Sequence, residues 1–385
     1  MVVVYDSRIT TEGNGSKEMN RKLTLSLTII FIVLFYSFKS YSMTLPVQAY
    51  DEKLWVTNSW NLTFDNDQPM LLKYVFKSWL SIKHTPDSKP EIDEMVINAR
   101  TVSQVLLSLN IVLAVLFFLK HKGLLFSLLV LFIYSSNYLL IRNGVLAQSE
   151  SLFVILFNLS LFFMFEYFSN KFRAKDLILF SVFTGLTFAT KLNGIMPYLF
   201  FLILYNIEVI KDRVKVNFSF VSRLFIPLIT VFSIFVILNP FVRNSPILNT
   251  LEMFQHRREI ISTQTKLFYE SAIPNIGNRY IAVIDNLFLK VKLPLLTTTL
   301  FLIGFSKAIK ESLKNNKFSN IIIKIFLVTF IITGFYFELN WPRYLTHIVL
   351  FVVYFQVEGI LEILKRLFGR SQKFNTYINL GGTVS

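Results

Sequence analysis

Apolar residues in this chain run in long blocks instead of alternating with polar ones. The stretches 102–119, 124–141 and 321–337 hold almost no charge. Each is long enough to cross about 30 Å of hydrocarbon as a helix. Following the pattern along the chain predicts ten spans, at approximately 23–38, 102–119, 123–141, 151–168, 176–190, 194–210, 222–240, 286–306, 319–337 and 344–363. The expected class is an all-α polytopic membrane protein with a single membrane domain over 1–385. Two connections are long, 39–101 and 241–285, and the tail after Arg366 is short and polar. That leaves no room for a soluble catalytic domain, so any active site belongs to the spans and their loops.

Within 39–101 the period changes. Leu71, Leu72, Val75, Phe76, Trp79 and Leu80 fall on one face of a helix, with Lys73 and Lys77 opposite. This predicts a helix lying in the membrane interface. Pro69 suits its first turn and Asp67 its cap.

Composition agrees with the patterning. The chain is 53% hydrophobic and 16% charged, against about 25% charged in a soluble domain. A net charge of +15 would suggest nucleic acid in a soluble protein, but there is no nucleic-acid motif, and the cations gather in every second connection. The clusters are Lys17, Arg21 and Lys22; Lys120 and Lys122; Lys171, Arg173 and Lys175; Lys211, Arg213 and Lys215; Lys307, Lys310, Lys314 and Lys317; and Lys365, Arg366 and Arg370. By the positive-inside rule both termini are cytoplasmic. The same alternation requires 176–210 to be two spans divided at Lys191. Span 1 reads as an uncleaved anchor, because its apolar core is long for a signal peptide and no small-x-small site follows. With no cysteine, disulfides, thiolate catalysis and Cys-based metal sites are excluded.

Residues with candidate chemistry lie on the outer face. Asp51-Glu52 follows span 1 by about a dozen residues. A carboxylate there serves as a general base on a hydroxyl or is an ordinary solvated loop pair. Asp67 is a helix cap or a ligand for a substrate or a hard metal such as Mg²⁺ or Mn²⁺. Arg100 stands at the outer end of span 2. Arg142 and Glu150 bracket the turn between spans 3 and 4, where Glu150 also suits a helix N-terminus. Lys191 binds a lipid phosphate or snorkels to the interface. The loop 241–285 carries Arg243, His256, Arg257, Arg258, Lys266 and Arg279, suited to an anionic substrate or to anionic headgroups. Arg343-Tyr344 enters the last span.

Taken in order, these pieces resemble a family. An early Asp-Glu, a Pro-containing interfacial helix, an Arg before span 2, Arg142 leading to Glu150-Ser151-Leu152, the turn Gly185-Leu186 to Thr190-Lys191, and a late Arg343-Tyr344 are similar to the polytopic GT-C glycosyltransferases of the protein O-mannosyltransferase and aminoarabinose-transferase superfamily. The likeness covers most of the chain. It implies a GT-C fold and transfer of a sugar from a polyprenyl-phosphate donor to a hydroxyl on a lipid, glycan or protein at the outer or lumenal face. It implies Asp51 as the catalytic residue and Arg142, Glu150, Lys191, Arg343 and Tyr344 as lining the site. From the residues themselves, Glu52 or Glu150 is expected to assist Asp51, Arg100 and Arg279 are further substrate-binding cations, and Asp67 is a candidate ligand for a divalent metal (Mg²⁺, Mn²⁺ or Zn²⁺). There the pattern departs, since Asp67-Gln68-Pro69-Met70 stands where relatives carry His-Pro-Pro-Leu. The expected location is a bacterial or archaeal cell membrane rather than the endoplasmic reticulum.

The chemistry stands beside the resemblance. A sugar phosphate leaves as an anion, so it needs cations to stabilise developing charge and no general acid. One carboxylate suffices as base, and a single displacement inverts the anomeric centre. A polysaccharide polymerase or ligase would share the basic outer loop without needing Asp51. A transporter or flippase would carry charged or broken spans at the midplane, whereas charge here concentrates at one face.

Overall fold

The computed structural model describes residues 9–48, 51–63, 69–84, 91–170, 172–211 and 218–368. Among these residues there is no strand, only an isolated bridge between Ala272 and Leu339. Fifteen α-helices follow in order: α1 (Ile9–Met43), α2 (Asp51–Trp60), α3 (Leu71–Lys83), α4 (Ile92–Lys122), α5 (Leu124–Ser135), α6 (Tyr138–Gly144), α7 (Glu150–Ser169), α8 (Ala174–Phe188), α9 (Met196–Lys211), α10 (Phe218–Leu238), α11 (Pro246–Leu267), α12 (Ile276–Ile284), α13 (Pro294–Leu313), α14 (Lys317–Tyr336) and α15 (Val349–Phe368).

Every expected span falls on helix, though 123–141 and 286–306 are each split between two helices by a bend, and fewer than ten are long and apolar enough to cross a membrane alone. Five qualify: Lys22–Met43, Ile92–Lys122, Glu150–Ser169, Val221–Leu238 and Lys317–Tyr336. Two bent pairs, α5 with α6 (60°) and Ile276–Leu289 with α13 (106°), would bring the number to seven. The expected span 286–306 is divided by the second bend. Lys290 and Lys292 sit in the break, and Pro294 restarts the helix at its first turn, where a missing N–H costs nothing. α8 and α9 are short, and α15 carries Glu358, Glu362, Lys365 and Arg366.

Phenylalanine fills the core. Phe117, Phe165, Phe318 and Phe326 pack in one cluster with Tyr354 and Phe355, in stacked and edge-on pairs such as Phe117 on Phe162 at 4.2 Å, the geometries that ring quadrupoles prefer. α13 packs most extensively on α15. An added Cβ on Gly304 would lie 1.8 Å from the carbonyl oxygen of Phe355, and one on Gly359 would lie 2.1 Å from that of Leu300. Small residues let two backbones touch, the usual means of helix association in lipid. α1 and α10 turn most of their apolar side chains outward, including Ile29, Val33, Phe225 and Ile229.

The two ends of the bundle differ. At one end Lys122 and Lys307 both bond Glu358, at 2.7 and 2.6 Å. Beside them Lys120 and His121 meet Glu166 at 2.6 and 2.8 Å. These groups close the ends of α4, α7, α13 and α15, so basic connections the sequence puts on one face do meet in space. Arg100 and Lys122 lie on the same helix α4, roughly 33 Å apart at 1.5 Å per residue. The candidate site therefore occupies the far end.

Candidate functional site

Asp51 and Glu52 occupy the first turn of α2, a helix where a loop was expected. Acidic side chains favour a helix N-terminus. Consecutive helical residues point about 100° apart, and the two carboxylates go separate ways.

Glu52 is fully buried. It takes a two-pronged bond from Arg100, 2.8 Å to Oε1 and 2.6 Å to Oε2. It also accepts from the backbone N–H groups of Gln48 at 3.0 Å and Ala147 at 2.8 Å. Arg100 donates further to the carbonyls of Ser42, Leu45 and Pro46. The pair thus clamps the end of α1, the start of α2, α4 and the turn before α7, and neither residue lines a cavity.

Asp51 faces the other way. Its Oδ2 meets Nη1 of Arg343 at 2.5 Å. Arg343 sits on the single turn Pro342–Leu345 between α14 and α15, with its guanidinium over Trp341 at 4.7 Å and Tyr344 at 5.5 Å. Burial disfavours its charge, but Glu150, Tyr344 and Asp51 outweigh that and raise its pKa above the usual arginine value. It stays a cation.

Lys191 comes from the turn between α8 and α9. Its Nζ is 3.0 Å from Glu150 Oε1, 5.1 Å from the Tyr344 ring and 5.6 Å from the Phe153 ring. Gly194 makes the turn possible, since a Cβ there would lie 2.2 Å from the Thr187 carbonyl oxygen. The turn is pinned from outside. Leu71 N–H bonds Ala189 O at 3.0 Å, and Met70 N–H bonds Asn239 Oδ1 at 2.7 Å. The start of the interfacial helix α3 is thereby fixed to the ends of α8 and α10.

Two cavities meet at Arg343-Tyr344. The first, about 520 Å³, combines the cations Lys191, Arg257 and Arg258 with apolar walls from Leu192, Met196, Phe254 and Phe337. Arg257 Nη2 lies 3.4 Å from the Tyr344 hydroxyl. At its back His347 is buried and bonded to Thr333 at 3.0 Å. The second, about 750 Å³, holds Asp51, Arg343 and Arg142. Both volumes fall in the range of small-molecule sites, about 300–1,000 Å³.

Asp51, Arg142, Glu150, Lys191, Arg343 and Tyr344 lie at one end of the bundle, Lys191 and Tyr344 on the first cavity and Asp51, Arg142 and Arg343 on the second. Glu52 and Arg100 are close by but face each other. Arg279 is held elsewhere, by the carbonyls of Ile273 and Phe335 and by Glu338 at 3.3 Å, and it lines neither cavity. Asp67 lies outside the described residues. Among the described residues no three His, Asp or Glu gather as a metal-binding group. Asp51 and Glu150 each face a cationic side chain instead. His347, Trp341 and the amide side chains Gln48, Gln148 and Gln264 were not singled out in the sequence. Only Trp341 carried a signal, through its position two residues before Arg343.

No protein-family model matches the chain, and no curated protein matches it. Solved structures do. The crystal structure of ArnT from Cupriavidus metallidurans in the apo state superposes with a TM-score of 0.54 at 10% identity, covering 90% of this chain and 62% of that one. The same protein bound to undecaprenyl phosphate gives 0.53 at 12%, covering 89% and 61%. The chain spans about three fifths of the length of the solved structures it matches. At these identities the likeness is one of architecture, and it agrees with the order of motifs read from the sequence: the chain is a polytopic helical protein with the fold of ArnT.

Proposed function

We propose that this protein is an inverting GT-C glycosyltransferase that moves a sugar from a polyprenyl-phosphate donor to a hydroxyl acceptor on the outer membrane face. The observation that carries the proposal is the Asp51–Arg343 pair on the wall of one cavity, with a second cation-lined cavity beginning at the next residue, Tyr344. A base next to a cation, with room for two substrates on either side, is what this displacement requires. The ArnT-like fold supports it, and one of the matched ArnT structures was solved bound to undecaprenyl phosphate.

In this reading the 520 Å³ cavity takes the donor head. Lys191, Arg257 and Arg258 face the phosphate, with Arg343 next to Tyr344 on the adjoining cavity, and Leu192, Met196 and Phe254 face the first isoprene units. Asp51 accepts the proton of the acceptor hydroxyl. That oxygen forms a bond to the anomeric carbon while the carbon–oxygen bond to phosphate breaks, and its electron pair leaves with the lipid phosphate. The developing negative charge falls between Lys191 and Arg343, fixed cations that need no reorganisation. Arg343 also fixes the position of the Asp51 carboxyl group, and the Tyr344 ring packs against both cations. Glu150 holds Lys191 in place. Glu52 and Arg100 hold α2, and with it Asp51, in register. No step needs a covalent intermediate. The alternation of basic loops puts both termini in the cytoplasm and this site outside, in a bacterial or archaeal cell membrane.

Native mass spectrometry of the full-length protein with added polyprenyl phosphate tests the donor assignment. The expected result is one bound lipid, with occupancy reduced 10- to 100-fold in Lys191→Met, the scale of about 1.5–3 kcal/mol for a charged hydrogen bond. Equal binding by both proteins would contradict it.

A further inference from the structure

Five carboxamide side chains line the Asp51 cavity: Gln48, Asn143, Gln148, Gln264 and Asn286. They come from five separate places in the fold. Their hydrogen bonds leave a particular set of atoms over. Asn143 uses its amine on the Leu139 carbonyl at 2.7 Å. Asn286 uses its amine on Ala282 O and Asn340 Oδ1, both at 2.7 Å. Carbonyl partners fix which end of each amide is the amine, so what remains at both residues is an acceptor oxygen. Gln148 donates to Gln48 at 2.8 Å and keeps its oxygen. Gln264 Oε1 is buried with no hydrogen-bond partner.

Acceptor oxygens on a cavity wall call for an occupant that brings O–H or N–H groups. A phosphate or carboxylate would answer the cations Arg142, Lys290 and Arg343 on the same wall, but it brings only acceptors to these oxygens. A polyol meets them, because each hydroxyl both donates and accepts. The cavity wall adds Trp341 and Phe268, whose rings meet edge-to-face at 5.7 Å. Their electron-rich faces suit the C–H face of a sugar ring.

We infer that the Asp51 cavity is a carbohydrate subsite and that the acceptor is a glycan, rather than a protein side chain or a simple lipid alcohol. This rests on the glycosyl-transfer reading for its role, but not for its binding. A saccharide seated on Gln148, Gln264 and Trp341 has a hydroxyl within reach of Asp51, the proton acceptor of the transfer.

Saturation-transfer NMR tests the binding without turnover. The probes are the methyl glycosides of glucose, galactose, N-acetylglucosamine and glucuronic acid, added to the full-length protein in lipid nanodiscs. The expected result is binding of at least one, weakened tenfold or more in Gln264→Leu and in Gln148→Leu, and unchanged within about twofold in Lys191→Met. Two variants are used so that misfolding of one leaves the test intact. No saccharide binding by the wild type would overturn the inference. So would binding that survives both glutamine changes but is lost in Lys191→Met, because the sugar recognised would then be the donor's. Saccharide binding with no sugar transfer would retain the subsite and remove the enzymatic reading. Transfer to a serine peptide without saccharide binding would do the reverse.

Discussion

Asp51 and Arg343 stand 292 positions apart in the chain and meet at 2.5 Å on the wall of the 750 Å³ cavity. Their contact ties the first turn of α2 to the turn that opens α15. The next residue, Glu52, makes an equally close contact with Arg100 but on the opposite side, sealed from both cavities. Two adjacent carboxylates of the same charge therefore have different duties, and substitution separates them.

Glu52→Gln and Arg100→Met should damage folding rather than chemistry alone. Removing one partner of a buried pair leaves an uncompensated charge and costs about 3–5 kcal/mol. The expected outcome is a lower melting temperature and poor recovery from membranes for both variants, measured by tryptophan fluorescence in detergent. Wild-type melting with selective loss of turnover would instead place Glu52 in the reaction.

Lys191 and Glu150 should behave as a unit. Lys191→Met removes a cation proposed to face the donor phosphate. Glu150→Gln leaves the cation but frees its position, so it should raise the KM for the donor less than Lys191→Met does. In the double variant the two effects should fall short of additive, as expected for contacting residues. Full additivity in a double-mutant cycle would show that Glu150 does not act through Lys191.

The α13–α15 contact predicts a steric failure. Gly304→Leu and Gly359→Leu would each drive a side chain into backbone of the facing helix, which cannot yield as a side-chain tip can. Both should lose stable protein, whereas Gly277→Ala, whose nearest neighbour is the Asn275 side chain at 3.1 Å, should be tolerated. Yields after detergent extraction followed by size-exclusion profiles decide this.

How much of this was legible in the sequence follows the physics. Long apolar runs and alternating basic clusters are one-dimensional signals, and every expected span did fall on helix. The α3 helix was visible in the stripe from Leu71 to Leu80. The first turn of α2 was hidden, because Asp51-Glu52-Lys53 reads equally well as loop. The bend before α13 was marked only by Lys290, Lys292 and Pro294, which an apolar average smooths over. The site was half legible. Asp51, Lys191, Arg343 and Tyr344 were visible by residue type and membrane side. That Glu52 and Arg100 face each other depends on which way each side chain turns, and Arg279 turns to nearby carbonyls; no spacing rule encodes either. Gln148 and Gln264 are ordinary amides in sequence, and they matter only because the fold sets them on one cavity.

The opposite end of the bundle gives a control. Glu358→Gln weakens the clamp on Lys122 and Lys307 roughly 21–33 Å along the helices from the site end, at 1.5 Å per residue. It should lower thermal stability while leaving the donor KM within about twofold. A donor KM raised tenfold in a protein of unchanged stability would show coupling between the two ends that the geometry does not provide.

The central claim is that Asp51 is the base. The most direct measurement is single-turnover transfer of a radiolabelled sugar by Asp51→Asn in nanodiscs, alongside its melting temperature and its binding of polyprenyl phosphate. Asp51 is about one-third exposed, so losing the Arg343 pair should cost no more than about 1 kcal/mol of stability. The account predicts near-normal melting, retained lipid binding and a transfer rate lowered by about 10²–10⁴, the usual contribution of a positioned base. Transfer within a few-fold of wild type by the folded variant would contradict it.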